Sequence, residues 1–348
     1  MRDIALLLIL TAMIWAAWLR PWVGVLGLAV LAYMAPHTYA LGFMRGFPVY
    51  QMLFIVLALS IARDAYLRKI QTLPAWDWRL LIFLLLWACF LYTTWHSQFP
   101  WSAWNKLSDL TKVFLSLLPT LLLIDTRQKL FFLIVAISAS FGLITFKGGY
   151  WAVMTGFQDR VYGPPGSHFS GNNEFAVVMA MNIPLLVLWL RETKHRKLRW
   201  VLMAMIGLSY AAVLSSWSRG GLITLGVATL FLLWNGKRRY LSIPLLFAGG
   251  VLALTVLPTK WFERMGSIGT YQQDDSATSR LEVWRVGLTY AREHPITGAG
   301  FDGWIAVQPN PENPIAWHSS YVQMLTEHGL PGFTLWCLLL FGTMFSLS

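Results

Sequence analysis

Charge is scarce in this sequence. Only 12% of its 348 residues are Asp, Glu, Lys or Arg, whereas 56% are hydrophobic and the mean hydropathy is +0.54. A soluble globular chain is excluded by that balance. Cysteine is almost absent: Cys89 and Cys337 each lie inside an apolar segment, where a free thiol behaves as a small hydrophobe, so no disulfide framework is implied. The first apolar run lacks a small-residue cleavage site before the second, so it reads as an anchor and not as a removable signal peptide. No charged residue falls at the middle of any apolar run, which weighs against a transporter with a polar site at the bilayer midplane.

What is abundant is apolar sequence in lengths suited to a membrane. A hydrocarbon core of about 30 Å needs runs of roughly 20 helical residues at 1.5 Å each. Spans are expected at about 3–19, 21–35, 48–63, 79–95, 110–125, 129–146, 173–190, 198–215, 220–234, 240–257 and 319–345. The expected fold is therefore all-α and polytopic, with about 11 transmembrane helices. Residues 1–257 hold the first ten with short loops, 258–317 form one long loop containing short helices, and 318–348 form a short rim helix and the final span.

Charge then orients the bundle. Alternate loops carry Arg20; Arg63, Arg68, Lys69 and Arg79; Arg127 and Lys129; Arg191, Lys194, Arg196, Lys197 and Arg199; and Lys237, Arg238 and Arg239. These 15 basic residues face four acidic ones (Asp64, Asp77, Asp125 and Glu192), while the remaining loops balance 12 against 12. The whole excess of +11 lies on one side, which the positive-inside rule makes cytoplasmic. Anionic lipid headgroups account for it, and nucleic acid drops out as a partner. The opposite, outer side receives 96–109, 147–172, the tight turn 216–219 and the long segment 258–318, together with most Gly and Pro clusters.

On that outer side, the loop from Lys147 to Phe175 combines Lys147, Arg160 and His168 with turn-forming residues. Arg160 there either snorkels to headgroups or meets a ligand. In SATSRLEVWRVGLTYARE, Ser and Thr caps precede Leu281, Trp284, Leu288 and Ala291 at helical spacing, which predicts a surface helix bearing Arg280, Arg285 and Arg292. HPITGAGFDGW ends it at Pro295 and reads as a flexible glycine stretch. After the proline-braced QPNPENP comes His318, at the rim of a short helix capped by Ser319 or Ser320 and broken near Gly329 and Pro331. An imidazole, with an unperturbed pKa of about 6.5, suits proton transfer near neutrality, although interfacial packing beside a tryptophan is the alternative. Glu327 either orients a basic partner or is a polar helix terminus.

Arg219, in LSSWSRGGLIT, begins a membrane helix. The orphan N–H groups and dipole there favour an anion, and Gly220 and Gly221 open the approach; an interfacial anchor is the other reading. Lys112 stands at the outer start of an apolar helix and can serve the same face. The outer loops contain no HExxH, cysteine pair or DxD-like cluster, and Asp274 and Asp275 sit adjacent in a polar turn, so a metal-dependent mechanism is unsupported. Arginine and lysine are then the groups that would neutralise a phosphate-bearing ligand.

Four motifs in order, SSWSRGG, the R-x-x-x-W of Arg280 and Trp284 ahead of HPITGAGFDGW, and HSSYVQMLTEHGLPG, with RVYGPPGSHFSGNNEFAVVMAMNIPLL upstream, resemble the O-antigen ligase and polymerase superfamily. The upstream motif and LAYMAPHTYALGF are most similar to exosortase-associated O-glycosylation ligases. The resemblance implies a GT-C-like, metal-independent glycosyltransferase of the bacterial inner membrane, facing the periplasm and using no cofactor. The implied donor is an undecaprenyl-diphosphate-linked glycan, and the acceptor lipid A core, polysaccharide or protein. The implied diphosphate contacts are Arg219 and Arg280, extended to Arg160 and Lys112, with His318 as base and Glu327 and Arg285 in support. A polysaccharide polymerase and a lipid-linked-glycan transporter are the alternatives. Two departures stand out: Gly171 replaces an expected acidic residue, and a further helix is expected beyond the last span, as in a shortened chain.

Overall fold

The computed structural model describes residues 2–67, 77–164, 167, 169–236, 239–266, 275–308 and 316–346. His168, Asp274, the stretch 309–315 and the basic residues Arg68, Lys69, Lys237 and Arg238 lie outside the described residues. Among the described residues every regular element is helical. Each expected span coincides with a helix: α1 (Arg2–Leu19), α2 (Pro21–Met34), α3 (Val49–Tyr66), α4 (Trp78–Trp95), α5 (Pro100–Leu123) and α6 (Arg127–Met154) in the first half. Then come α7 (Asn172–Glu192), α8 (Arg196–Ser215), α9 (Arg219–Trp234) and α10 (Arg239–Val256). The long segment contributes α11 (Thr259–Gly266), α12 (Asp275–Glu293) and the single turn α13 (Trp304–Val307), before α14 (Ser320–Ser346). Seven of the described helices are long and apolar enough to cross a membrane, and α2, α9 and Leu246–Val256 are shorter apolar helices.

Two boundaries differ from expectation. Helix α5 begins at Pro100, so most of the expected loop 96–109 is helical and carries Lys106, Asp109 and Lys112 on its first turns. Helix α6 runs to Met154, well past the expected end at 146, because its Gly-Gly pair is helical. A Cβ on Gly149 would lie 2.2 Å from the Leu208 carbonyl oxygen, and one on Gly148 2.9 Å from Val161 Cγ1. These glycines therefore allow close approach of α8 and of Val161, as small residues do in membrane bundles, and do not form a turn. The last span is broken at Gly329 (φ 62°, ψ −169°), which leaves a short helix, 320–328, ahead of the final crossing.

The chain divides into two compact units, Met1–Gln71 with Pro119–Ile268, and Thr72–Leu118 with Gly269–Ser348. In the first, α7 buries Phe175, Ala176, Met179, Ala180 and Ile183 against α6, α8 and α9. Polar ties cross the same interfaces. Asn182 Nδ2 donates to the Ser138 carbonyl at 3.2 Å, and the Tyr210 hydroxyl meets Thr229 Oγ1 at 2.8 Å. Such bonds contribute about 0.6–2 kcal/mol each inside a bilayer. In the second unit, Leu86 and Phe90 of α4 pack with Ala103 and Leu107 of α5 and with Phe301, and Trp87 Nε1 donates to Thr111 Oγ1 at 2.9 Å.

Candidate functional site

In the first unit, the chain after α6 folds back on the turn between α8 and α9. Val161 N–H donates to the Ser215 carbonyl at 3.0 Å, and Ser215 Oγ donates to the Asp159 carbonyl at 2.7 Å. Asn172 Nδ2 donates to the Ser216 carbonyl at 2.9 Å, and Trp217 Nε1 to that of Phe157 at 3.3 Å. These bonds hold Trp217 in a left-handed conformation, φ 56°, which a bulky residue adopts only when its surroundings demand it.

Two arginines meet on that tryptophan, and a third is bonded to one of them. The Arg160 guanidinium lies 5.3 Å from the Trp217 ring centroid, Arg264 Nε donates to the Trp217 carbonyl at 2.9 Å, and Arg219 Nε donates to the Arg264 carbonyl at 3.2 Å. Arg160 and Arg219, expected to act together, are thus gathered in one place. Arg264 joins them without having been singled out. It arrives on α11, which is anchored by Trp261 Nε1 donating to the Leu214 carbonyl at 3.0 Å. The strongly two-faced TKWFERMG, with Trp261 buried, was the signal available for it.

The glycines after Arg219 divide in role. Ser218 Oγ accepts the Gly221 N–H at 3.1 Å, satisfying one orphan donor of α9. A Cβ at Gly221 would lie 2.4 Å from Ala176 Cβ, so this glycine serves helix packing and not ligand access, whereas at exposed Gly220 the nearest atom is 4.0 Å away. At Gly171, where an acidic residue was expected, the space over the Cα is filled by the Glu174 carboxylate, 2.2 Å from an ideal Cβ.

The second unit holds Lys112, Arg280, Arg285, His318 and Glu327. On α12, Arg280 precedes Trp284 by one turn and shares its face. Trp284 Nε1 donates to the Trp317 carbonyl at 2.6 Å, and Gly287 makes room for the Trp317 ring. The R-x-x-x-W spacing thus fastens the helix bearing Arg280 to the peptide that leads into His318, which is exposed at φ 48°. Ser319 Oγ caps the following turn by accepting from Val322 N–H at 3.4 Å. Trp284→Phe keeps the ring but leaves the Trp317 carbonyl unpaired. A loss of about 1–3 kcal/mol is expected, read as a lower unfolding midpoint in detergent.

Arg285 lies roughly 140° around α12 from Arg280. It borders a separate shallow cavity of about 410 Å³ with Glu282, Tyr290 and Glu293. Burial holds the Tyr290 phenol above its ordinary pKa while its oxygen accepts from Gln98 Nε2 at 3.2 Å. The Lys112 ammonium sits on Asp109 at 2.7 Å, with both side chains exposed. Lys106, one helical turn and a half earlier, lies 3.9 Å from Asp302.

Glu327 is no exposed helix terminus. It is 1% exposed and accepts from Gln323 Nε2 at 3.3 and 3.4 Å. Beside it His328, unremarked in the sequence, has Nε2 at 4.0 Å from Glu327, and its Nδ1 pairs with Thr93 Oγ1 at 2.8 Å. The Phe90 and Phe301 ring centroids each lie 4.4 Å from the imidazole. The glycine stretch HPITGAGFDGW, expected to be flexible, is pinned to this corner. Ala299 N–H donates to the Thr326 carbonyl at 2.9 Å, Gly300 N–H to Glu327 at 2.8 Å, and Leu330 N–H to Pro295 at 2.7 Å. A Cβ at Gly298 would lie 2.6 Å from the Glu327 carbonyl, and the left-handed φ values of Gly298, Gly300 and Gly329 (58°, 73° and 62°) favour glycine. The order comes from backbone pairing, which residue composition does not reveal.

Against known proteins, the O-Antigen ligase family matches residues 203–337, and a family of unknown function (DUF5935) matches residues 1–197. No curated protein and no solved structure matches the chain. The first match includes Arg219, Arg264, Arg280, Arg285, His318 and Glu327; the second includes Lys112 and Arg160. An O-antigen ligase domain on a polytopic helical chain supports a membrane enzyme of the ligase and glycosyl-transfer kind. The chain belongs to the family of unknown function matched by its first 197 residues and carries, at residues 203–337, a domain that the O-antigen ligase family matches.

Proposed function

We propose that the protein is an inverting, metal-independent glycosyltransferase of the bacterial inner membrane, close to the exosortase-associated O-glycosylation ligases. It moves a glycan from an undecaprenyl-diphosphate carrier to a hydroxyl of a periplasmic acceptor, either lipid A core or protein. The observation that supports this reading is the set of Arg160 and Arg264 on Trp217 with Arg219 bonded to the Arg264 carbonyl, in a chain whose residues 203–337 the O-antigen ligase family matches.

In this mechanism the C1–O bond to the diphosphate breaks with its electron pair staying on the leaving group. Guanidinium charge held at Arg219 and Arg160, with Arg280 completing the clamp, stabilises the transition state more than the ground state because negative charge grows there. His318 takes the proton of the acceptor hydroxyl as that oxygen bonds to C1 from the opposite face. Lys112 would add long-range attraction for the donor, and Arg285 and Glu327 would support the shape of the second unit.

The test is transfer in detergent, with no sealed compartment, from purified undecaprenyl-diphosphate glycan to lipid A core or secreted protein, followed by mass spectrometry. A new glycosidic bond with released undecaprenyl diphosphate is expected. Glycan movement only across sealed vesicles, with no bond formed, would overturn the reading in favour of transport. In a deletion strain, a ligase leaves accumulated lipid-linked polymer and unmodified acceptor, whereas short unpolymerised units identify a polymerase.

A further inference from the structure

The first unit contains a cavity that the diphosphate chemistry does not use up. Its volume is about 430 Å³, and its lining includes Tyr39, Lys147, Tyr150, Trp151, Arg160 and Tyr162. Lys147, Tyr150 and Trp151 come from the helical extension of α6, where Gly148 and Gly149 let Val161 and α8 close in beside them. The tyrosines and Trp151 each expose between 37 and 58% of their surface, so broad ring area remains open to a ligand. The Lys147 ammonium lies 6.0 Å from the Tyr39 ring centroid, and Arg160 is held over Trp217. No lining residue is acidic, and among the described residues neither cation forms an ion pair.

Open aromatic faces suit the C–H faces of sugar rings, and two uncompensated cations suit a carboxylate or phosphate. The volume falls within the range of small-molecule sites, with room for a short oligosaccharide. We propose that this cavity is a subsite for the saccharide of the donor, running from the diphosphate at Arg160 toward Lys147, and that the saccharide it selects bears a negative charge. This inference rests on the glycosyl-transfer reading and names the substrate class for it. An anionic lipid headgroup offers similar chemistry, but it would leave the open ring surfaces of the lining without a partner.

The experiment is calorimetric titration of the full chain in detergent with three probes: tetragalacturonate, neutral maltotetraose, and dihexanoyl phosphatidylglycerol. Tetragalacturonate is expected to bind about tenfold more tightly than maltotetraose, the scale of one well-placed ion contact. Lys147→Gln should remove that preference, and Trp151→Ala should weaken both sugars about tenfold, the scale of a lost ring contact. Both positions are exposed, so the variants should keep the parent's unfolding midpoint, and a lowered midpoint in one leaves the other as the test. Equal binding of the two sugars, no sugar binding, or displacement of the sugar by phosphatidylglycerol with the same Lys147 dependence would each overturn the subsite. Transfer by the parent protein is assayed in parallel: transfer without acidic-sugar binding refutes the subsite alone, and sugar binding without transfer refutes the enzyme reading.

Discussion

Arg219→Ala is expected to lower transfer from a lipid-linked donor by roughly 10²–10³-fold while leaving a folded, membrane-inserted protein. That is the usual cost of removing one preorganised charge or donor from a transition state. Folding should survive because α9 is capped by Ser218 and not by Arg219, whose Nε bond reaches the Arg264 carbonyl and not a bond of the α9 cap. Arg219→Lys separates charge from geometry. A point charge keeps the attraction but loses the two-pronged grip of a guanidinium, so near-complete loss would identify bidentate phosphate contact. Transfer by Arg219→Ala at the parent rate would remove this residue from the mechanism.

His318→Ala carries the second large effect, a fall of about 10²–10⁴-fold in kcat, the range of a positioned acid–base group. The backbone complicates a simple alanine test, since φ is 48° and alanine tolerates that region poorly. His318→Asn resolves the difficulty: asparagine accepts the left-handed conformation but cannot act as the base. Both variants should lose transfer, the Asn variant with an unchanged unfolding midpoint, and added imidazole should partly restore the rate. An Asn variant at full rate would show that the ring only packs at the rim.

The helical framework was legible because apolar run length is a one-dimensional property: each expected span from α1 to α10, and the last, coincides with a helix. Where reading by turn chemistry failed, the cause was that glycine has two uses. In KGG and in Gly221 it thins a helix for a neighbour, as the near-contacts with Leu208 and Ala176 show. In GAGFDG it supplies left-handed backbone to a clasp whose partner is some 30 residues away in sequence. Arg219 and Arg160 stand out in the sequence because charge is conspicuous in so apolar a chain. Arg264 was passed over because it lies in a polar segment where another arginine carries no contrast. His328 was missed for the converse reason: a histidine beside a helix break reads as rim chemistry, and its enclosure by Phe90 and Phe301 depends on α4 and the glycine segment, neither adjacent in sequence.

The pairing of residues 295–300 with 326–330 has a consequence for how this part of the chain tolerates change. Its grip is main chain to main chain, so it is blind to the chemistry of most side chains yet sensitive to a single methyl group at Gly298, Gly300 or Gly329. A mutational scan across the corner should therefore sort by bulk, not by polarity: serine and leucine would fail alike at those glycines, while neighbouring exposed Ile296 would accept either.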